Sequence, residues 1–334
     1  MKAIIWTRYG PPDVLQLREV KKPTPTDNQV MIKIHSATVT AGDCETRGLK
    51  LPFYISLPMR LFFGPVRPKR VNILGQELAG EIESVGKAVS KFKKGDKVFA
   101  NTGFGMGAYA EYICLPEKPQ EMSGIVLEMP VNITYEEAAA VPLGGLEALH
   151  FIRKANIRKG QKILINGAGG SIGTFAVQLA KHFGAEVTAV DSTGKLDMLR
   201  SIGADHTIDY AKKDFTQNSK SYNVIFDVIG KSSFSGSIKS LKQNGLYLIA
   251  NAGPLRMMRG LLASMKGDKK VLFGAANPKI EDLIFLKDLI EAGKIKAVID
   301  RKYSLEQIVD AHKYVEKGNK KGNVVITVVH NDKT

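Results

Sequence analysis

Cysteine is nearly absent from this chain. Only Cys44 and Cys114 occur in 334 residues, far apart and without a C-x-x-C. That excludes a disulfide framework and a cysteine-built structural zinc lobe, and it fits a reducing cytoplasm. Long apolar runs are missing too. None approaches the ~20 residues needed to span a bilayer. The opening MKAIIWTRYG has one lysine and a very short apolar patch, so it reads as a first strand rather than a secretory signal. Aromatic residues make up 7% of the chain, with no RNP-like motif and no dense arginine tract, which argues against a specific nucleic-acid partner. Acidic residues are outnumbered, 33 against 48 basic ones, for a net charge of +15. Such a balance can steer an anionic cofactor or substrate, attract nucleic acid or an anionic membrane surface, or simply solvate one face.

What is present is ordinary in amount, with 44% hydrophobic and 24% charged residues, and specific in arrangement. At this length two domains can each bury a core. Lys162–Asp191 reads as strand, glycine turn, amphipathic helix and second strand ending on an acid. Ile163, Leu164 and Ile165 form the short apolar run of a buried parallel strand. The turn carries Ala168-x-Gly170-x-x-Gly173, a variant of the dinucleotide fingerprint. Its small positions permit a tight turn, approach of a pyrophosphate to the backbone, and close packing of helix on strand, with Ser171 and Ile172 opening the helix. Ile172, Ala176, Leu179, Ala180 and Phe183 share one helix face, and Gly184 ends it.

The first ~130 residues are β-rich and broken by turns, with strands expected at Gln29–Ile34, Ala79–Val85 and Lys97–Ala100. From about Thr134 strands and helices alternate. Glu186–Val190, His206–Asp209, Asn223–Val228, Gly245–Ala250 and Lys270–Phe273 join Lys162–Ile165 as six strands, the count of a doubly wound parallel α/β sheet. A helix over Asp282–Ala292, a capping box at Ser304–Gln307 opening a helix over Leu305–Val315, and a closing strand over Asn323–Val329 complete the chain. The last strand needs a sheet to join, so the tail is expected to return to the N-terminal β region.

With these residues in view, the chain resembles the medium-chain dehydrogenase/reductase superfamily, in its zinc-free quinone oxidoreductase and 2-alkenal reductase branch. The resemblance runs nearly end to end. It rests on Tyr9–Leu15, Leu74–Gly80 with Val85-Gly86, Lys94–Val98, Val141–Leu146, the glycine turn, Phe226–Gly230 and Gly322–Val325. It implies a GroES-like β domain from residues 1–132 and 278–334, and a Rossmann dinucleotide-binding domain over 133–277. It also implies a cleft between them, a nicotinamide cofactor, a small hydrophobic electrophile as substrate, and a homodimer.

Zinc relatives in this superfamily ligate metal with a loop Cys and the His of a G-H-E motif. Thr40 and Gln76 stand at those positions here, and neither suits zinc. Cys44 falls four residues too late. The resemblance therefore implies no metal, and places Thr40, Asp43, Gln76 and Tyr54 as polar groups at the cleft. Without a Lewis acid, hydride addition to a quinone or an α,β-unsaturated carbonyl is the easier chemistry. Two alternatives remain at this point. One is an NAD(P)H- or RNA-binding relative without significant turnover; the other is an atypical alcohol dehydrogenase.

The signals for cofactor choice conflict. Asp191 at the end of the second strand can accept from the ribose hydroxyls and favours NAD(H). Lys195 and Tyr210 fall where relatives grip the 2′-phosphate of NADP(H), with Ser192 and Thr193 beside them. The resemblance further places Ile229, Asn251, Ala252, Gly253, Phe273, Gly274, Ala275 and Asn323 along the cofactor. Glu147 departs from the family, standing where a Thr is usual. Finally, Leu49–Arg70 and Pro254–Lys270 read as apolar loops with basic residues. They are candidates for an apolar lid over the cleft, for contact with an anionic membrane surface, or for packing at a dimer interface.

Overall fold

The structure, a computed structural model, describes residues 1–330 apart from 120–122, 218–219, 275 and 278. The chain divides into two compact units. One comprises Met1–Leu143, Lys279–Glu291 and Ala297–Thr334; the other comprises Gly144–Pro278 and Ala292–Lys296.

The first unit opens with an antiparallel ribbon of β1 (Lys2–Trp6) and β2 (Leu15–Glu19). Its main sheet uses β3 (Gln29–Val39), β4 (Glu77–Val85), β5 (Lys97–Gly103), β6 (Tyr112–Pro116) and β7 (Ser123–Glu128). β3 is the hub, pairing antiparallel with β4 along one edge and with β6 at its start. Residues that point inward along these strands, among them Ile32, Ile34, Leu78, Ile82 and Val98, are fully buried, as the alternation of side chains across a pleated sheet requires.

The second unit is a six-stranded parallel sheet. Its strands are β8 (Lys162–Asn166), β9 (Glu186–Asp191), β10 (His206–Asp209), β11 (Tyr222–Asp227), β12 (Leu241–Ile249) and β13 (Lys270–Phe273). They lie in the order β10-β9-β8-β11-β12-β13. The sheet therefore runs in two directions from β8, and the strand order reverses between β8 and β11. In doubly wound folds that reversal opens the ligand crevice at the carboxyl ends of the strands.

The chain then returns to the first unit with β14 (Ile299–Ser304) and β15 (Asn323–Thr327). β15 pairs antiparallel with β3, Val324 opposite Val39, so the tail finds the sheet it needs. Ser304 N donates to Gln307 Oε1 at 3.0 Å ahead of a short 3₁₀ turn and the helix Ile308–Glu316.

Two expectations of loop are corrected. Within Leu49–Arg70 the chain forms a helix, Phe53–Phe63, with Pro52 before its first turn and Pro58 inside it. Within Pro254–Lys270 it forms the helix Pro254–Lys266, with Pro254 at the first position. Proline suits a helix start, where its missing N–H has no partner to lose, so there it marks a beginning and not a break. Pro58 is the exception, and burial of Phe63 against Trp6, with ring centroids 5.7 Å apart, anchors that helix despite it.

Candidate active site

In the first unit the candidate groups are built at the end of β3. Thr40 caps the helix Ala41–Gly48 through a reciprocal box. Asp43 N donates to Thr40 Oγ1 at 3.1 Å, and Thr40 N donates back to Asp43 Oδ2 at 2.9 Å. Thr40 Oγ1 and Asp43 Oδ2 also lie 2.6 Å apart, the length of a strong O–H···O bond. Gln76 comes to the same place: a Cβ on Gly42 would stand 3.3 Å from Gln76 Oε1 and 3.6 Å from Thr40 Oγ1. Tyr54 stands exposed on the helix Phe53–Phe63.

Asp43 is fully buried. Burial pushes its carboxyl upward, ahead of hydrogen bonds from Thr40, Tyr109 and the Gly75 amide that pull it down. Oδ1 has no hydrogen bond of good geometry. The Tyr109 hydroxyl, though close enough to act on Asp43, is directed to Thr38 O at 3.2 Å.

Beneath these groups is a cluster that the sequence reading missed. Glu77, fully buried, accepts from Thr38 Oγ1 and from Leu143 N at 2.7 Å, and burial raises its carboxyl to about 7. His312, from the tail, is held by Arg47 NH1 at 2.8 Å from Nδ1, with Cys44 Sγ 3.3 Å from the same nitrogen. Burial, with Arg47 alongside, lowers its pKa to about 3, so the ring is neutral. Arg47 is in turn paired with Glu316 at 2.5 Å. The only sequence signal was the charged pattern of Asp43-Cys-Glu-Thr-Arg47 on a helix that had to bury one face; that the partner would come from residue 312 was not readable locally.

In the second unit the glycine turn joins β8 to the helix Ser171–His182. Gly170 caps this helix in extended backbone, and a Cβ there would meet nothing nearer than Gly167 O at 3.9 Å. Protein packing thus leaves its outer side open above the first helical amides of Ser171, Ile172 and Gly173. Gly173 is the opposite case: a Cβ would fall 2.3 Å from Gly167 O and 2.5 Å from Ala168 Cα. Ile229 covers the turn from the β11 side, 2.5 Å from where a Gly167 side chain would begin.

Asp191 ends β9 with its carboxylate facing back to this turn. It accepts from Gly169 N at 2.7 Å and Ser192 N at 2.8 Å, and Lys195 Nζ lies 3.1 Å away. Both Asp191 and Lys195 are nearly buried, and the Lys195 stem crosses Gly169. Thr193 Oγ1 donates to Asp209, whose other oxygen accepts from Ala211 N at 2.9 Å. Tyr210 follows directly and is exposed, with its amide on Asp191 O.

Asp227, at the end of β11, is fully buried. It accepts from Asn166 Nδ2 and Gly230 N at 2.9 Å, Ser232 Oγ at 2.5 Å and Tyr247 OH at 3.0 Å. This network shapes the Val228–Gly230 loop. Asn251 Nδ2 donates to Val228 O, Ala252 is half-buried, and Gly253 caps the helix Pro254–Lys266. Phe273 and Gly274 follow from β13; Ala275 lies outside the described residues. Glu147 is held by Ala276 N, 3.3 Å from each oxygen, and burial raises its carboxyl. Asn323 belongs to the first unit, where its amide donates to Val298 O at 3.1 Å.

Comparison with known proteins gives this arrangement a family. The alcohol dehydrogenase GroES-like domain profile matches residues 26–121, and the zinc-binding dehydrogenase profile matches residues 202–326. A 2-methylene-furan-3-one reductase from Solanum lycopersicum is 32% identical over 98% of this chain and 79% of its own. A chloroplastic NADPH-dependent alkenal/one oxidoreductase from Arabidopsis thaliana is 31% identical, with the same coverage. The solved quinone oxidoreductase from Coxiella burnetii superposes with a TM-score of 0.86 at 28% identity, covering 98% of this chain and 99% of that one.

Among the described residues no group of three or more His, Cys, Asp or Glu side chains could hold the zinc of the matched zinc-binding dehydrogenase family. The Thr40 hydroxyl is bound to Asp43, and Gln76 offers an amide where zinc takes Cys, His or carboxylate. A dinucleotide does fit the glycine turn, whose open Gly170 is a cradle that a side chain would fill. The chain belongs to the quinone and alkenal oxidoreductase branch of the medium-chain dehydrogenase/reductase family.

Proposed function

We propose that the protein is an NADPH-dependent reductase that adds hydride to quinones or α,β-unsaturated carbonyls without a catalytic metal. The observation that carries this reading is the buried Thr40–Asp43 pair, a hydroxyl and a carboxyl 2.6 Å apart at a position where zinc relatives place a metal ligand. The named relatives, a furanone reductase, an alkenal/one oxidoreductase and a quinone oxidoreductase, act on acceptors of this class.

The glycine turn supports nucleotide binding through the first amides of the helix Ser171–His182, where backbone N–H groups and the helix dipole favour a pyrophosphate. Ile229, Asn251–Gly253, Phe273, Gly274 and Asn323 are the residues we assign along the rest of the cofactor. For the 2′-position, both oxygens of Asp191 are already engaged by Gly169, Ser192 and Lys195. Its charge is thereby offset, and the ribose diol gains little from it. Tyr210, exposed beside this Asp191–Lys195 pair, offers a hydroxyl to a 2′-phosphate, and the Arabidopsis relative is named as NADPH-dependent, which together favour NADPH.

When bound, the reduced nicotinamide supplies hydride. The chain's own task is to hold the acceptor carbonyl and to give it a proton as negative charge develops on oxygen. Burial favours the protonated form of Asp43. Thr40 Oγ1 donates to Asp43 Oδ2 and accepts from Asp43 N; a proton on Asp43 would turn the first of these bonds around and leave the Thr40 proton for the acceptor. As the acceptor oxygen takes the Thr40 proton, Thr40 takes the one on Asp43, and Asp43 becomes a carboxylate. Gln76 beside them can hydrogen-bond the same oxygen through its amide. A homodimer and cytoplasmic residence complete the reading; the Arabidopsis relative is chloroplastic, so residence is tested by localising the tagged chain.

The test is consumption of NADPH and NADH, side by side, with a 2-alkenal and with 1,4-benzoquinone, after exhaustive treatment with EDTA. Chelator-resistant turnover with NADPH preferred is expected. Tight nucleotide binding with no turnover of any acceptor overturns the reading.

A further inference from the structure

The two helices that replaced expected loops share a property that neither fold nor reaction requires. On Pro254–Lys266, the side chains Leu255, Met258, Leu261, Leu262 and Met265 are all exposed, Met265 to 82%. At 100° per residue these five lie within roughly a third of the circumference. The opposite face is the one that packs. A Cβ on Gly260 would stand 2.9 Å from Val271 of β13, and Ser264 Oγ accepts from Val271 N at 2.9 Å. The helix is thus anchored by its small polar side and turns its apolar side outward.

Phe53–Phe63 repeats the arrangement in the other unit. Phe63 is buried, while Met59 and Phe62 pack on the core. Phe53, Leu57 and Leu61 are exposed on the far arc, Phe53 to 76%.

Charge singles out the same two segments. Acidic residues number 33 in 334, about one in ten, yet residues 46–76 and 228–267 contain none. A third acid-free stretch, 148–185, encloses the glycine turn, where phosphates are expected. The first two stretches surround the two helices and supply Lys50, Arg60, Arg67, Lys69 and Arg70 to one and Arg259 to the other, while Arg256 is turned inward onto Ser232 O and Asp227. Apolar side chains facing solvent, rimmed by cations and cleared of carboxylates, match an anionic bilayer surface. The apolar arc would enter the headgroup boundary and the cations would meet lipid phosphates.

We propose that the exposed face of Pro254–Lys266 docks the protein on an anionic phospholipid surface, and that the exposed face of Phe53–Phe63 is a separate element of the same chemistry in its own unit. Binding is measured without acceptor or nucleotide, so its outcome is separate from that of the reductase reading.

The test is co-sedimentation of the full chain with vesicles of phosphatidylcholine alone and of phosphatidylcholine mixed with phosphatidylglycerol, at low and high salt. Binding only to the mixed vesicles, weakened by salt, is expected. Leu261→Glu with Met265→Glu should weaken it by at least about tenfold, and Leu57→Glu with Leu61→Glu should weaken it independently. Both pairs are on exposed side chains, so unchanged thermal unfolding certifies the fold. Absence of binding to mixed vesicles at low salt overturns the proposal, as does equal binding by wild type and both variants. So does a fall in sedimentation mass of the lipid-free protein on Leu261→Glu/Met265→Glu, which would assign the face to a second copy of the chain.

Discussion

Each unit of the molecule buries one aspartate completely, and the two are treated in opposite ways. Asp227 in the parallel sheet accepts from Asn166, Gly230, Ser232 and Tyr247, so both oxygens are met by donors and the residue works as a scaffold for one loop. Asp43 in the β-rich unit has one oxygen in a capping box with Thr40 and the other without a good partner. Burial pushes the Asp43 carboxyl upward against the hydrogen bonds that oppose it. The contrast extends to the units as wholes. The second prepares for a ligand through backbone, with glycines where side chains would collide or intrude. The first instead buries titratable side chains, Asp43, Glu77 and His312, whose pKa values burial has moved.

The largest effect expected from this contrast is on the backbone side. Gly173→Val drives a side chain into Gly167 O and Ala168 Cα, which cannot yield without moving the turn. Nucleotide affinity should fall about a hundredfold or more, ~3 kcal/mol, by calorimetric titration. Affinity within a factor of a few of wild type would show that the turn does not hold the cofactor.

The aspartates themselves come next. Asp43→Asn should lower kcat about a hundredfold with nucleotide affinity intact. Asp227→Asn should instead cost ~1–3 kcal/mol of stability, because it sets an amide against donors that need an acceptor. Stopped-flow turnover and urea unfolding on both variants decide the matter; matching phenotypes would dissolve the distinction drawn between them. A smaller effect is expected at Lys195, which we assign to the 2′-position. Lys195→Ala should shift the NADPH-to-NADH preference about tenfold toward NADH, read from kcat/KM for each.

The pH dependence of stability sharpens the picture of the first unit. His312 is neutral when folded, with a pKa of about 3, and returns to its ordinary value near 6.5 when unfolded. The unfolded chain therefore binds the extra proton, and stability falls as pH drops from about 6.5 toward about 3. Glu77 has the opposite sign. Its pKa rises from 4.5 to about 7 on folding, so the folded chain holds the extra proton and stability falls as pH rises through that window. His312→Asn should flatten the acid arm in urea titrations, and Glu77→Gln should remove the loss above about 4.5. An unaltered acid arm in His312→Asn would place the acid sensitivity elsewhere.

The parallel sheet was legible because its instructions are local. Ile163–Ile165 form a strand, the glycines form a turn, and an apolar helix face returns the chain to the sheet, all within about thirty residues of sequence. The six strands stand where the alternation of segments put them, within a few residues at each end. Two helices were read as loops because proline and a continuous apolar composition hid their periodicity. An apolar helix face turned to solvent breaks the inward rule on which periodicity relies. The buried cluster was invisible for a different reason. Arg47 meets His312 and Thr38 meets Glu77 only after the tail and β4 have joined β3, and nothing near residue 47 announces a partner at residue 312. Thr40 and Asp43 were nameable by family position, but their reciprocal bonding, and the burial that pushes the Asp43 carboxyl upward against it, needed the structure.

The most direct test of metal-free hydride addition to an activated alkene is to follow the label. Chelator-treated protein would be given NADPH deuterated on the transferred position of the nicotinamide, together with a 2-alkenal, and the product read by NMR. Deuterium on the β-carbon of a saturated aldehyde is the predicted result. Deuterium on the carbonyl carbon of an allylic alcohol would contradict the account and return the protein to the alcohol dehydrogenases.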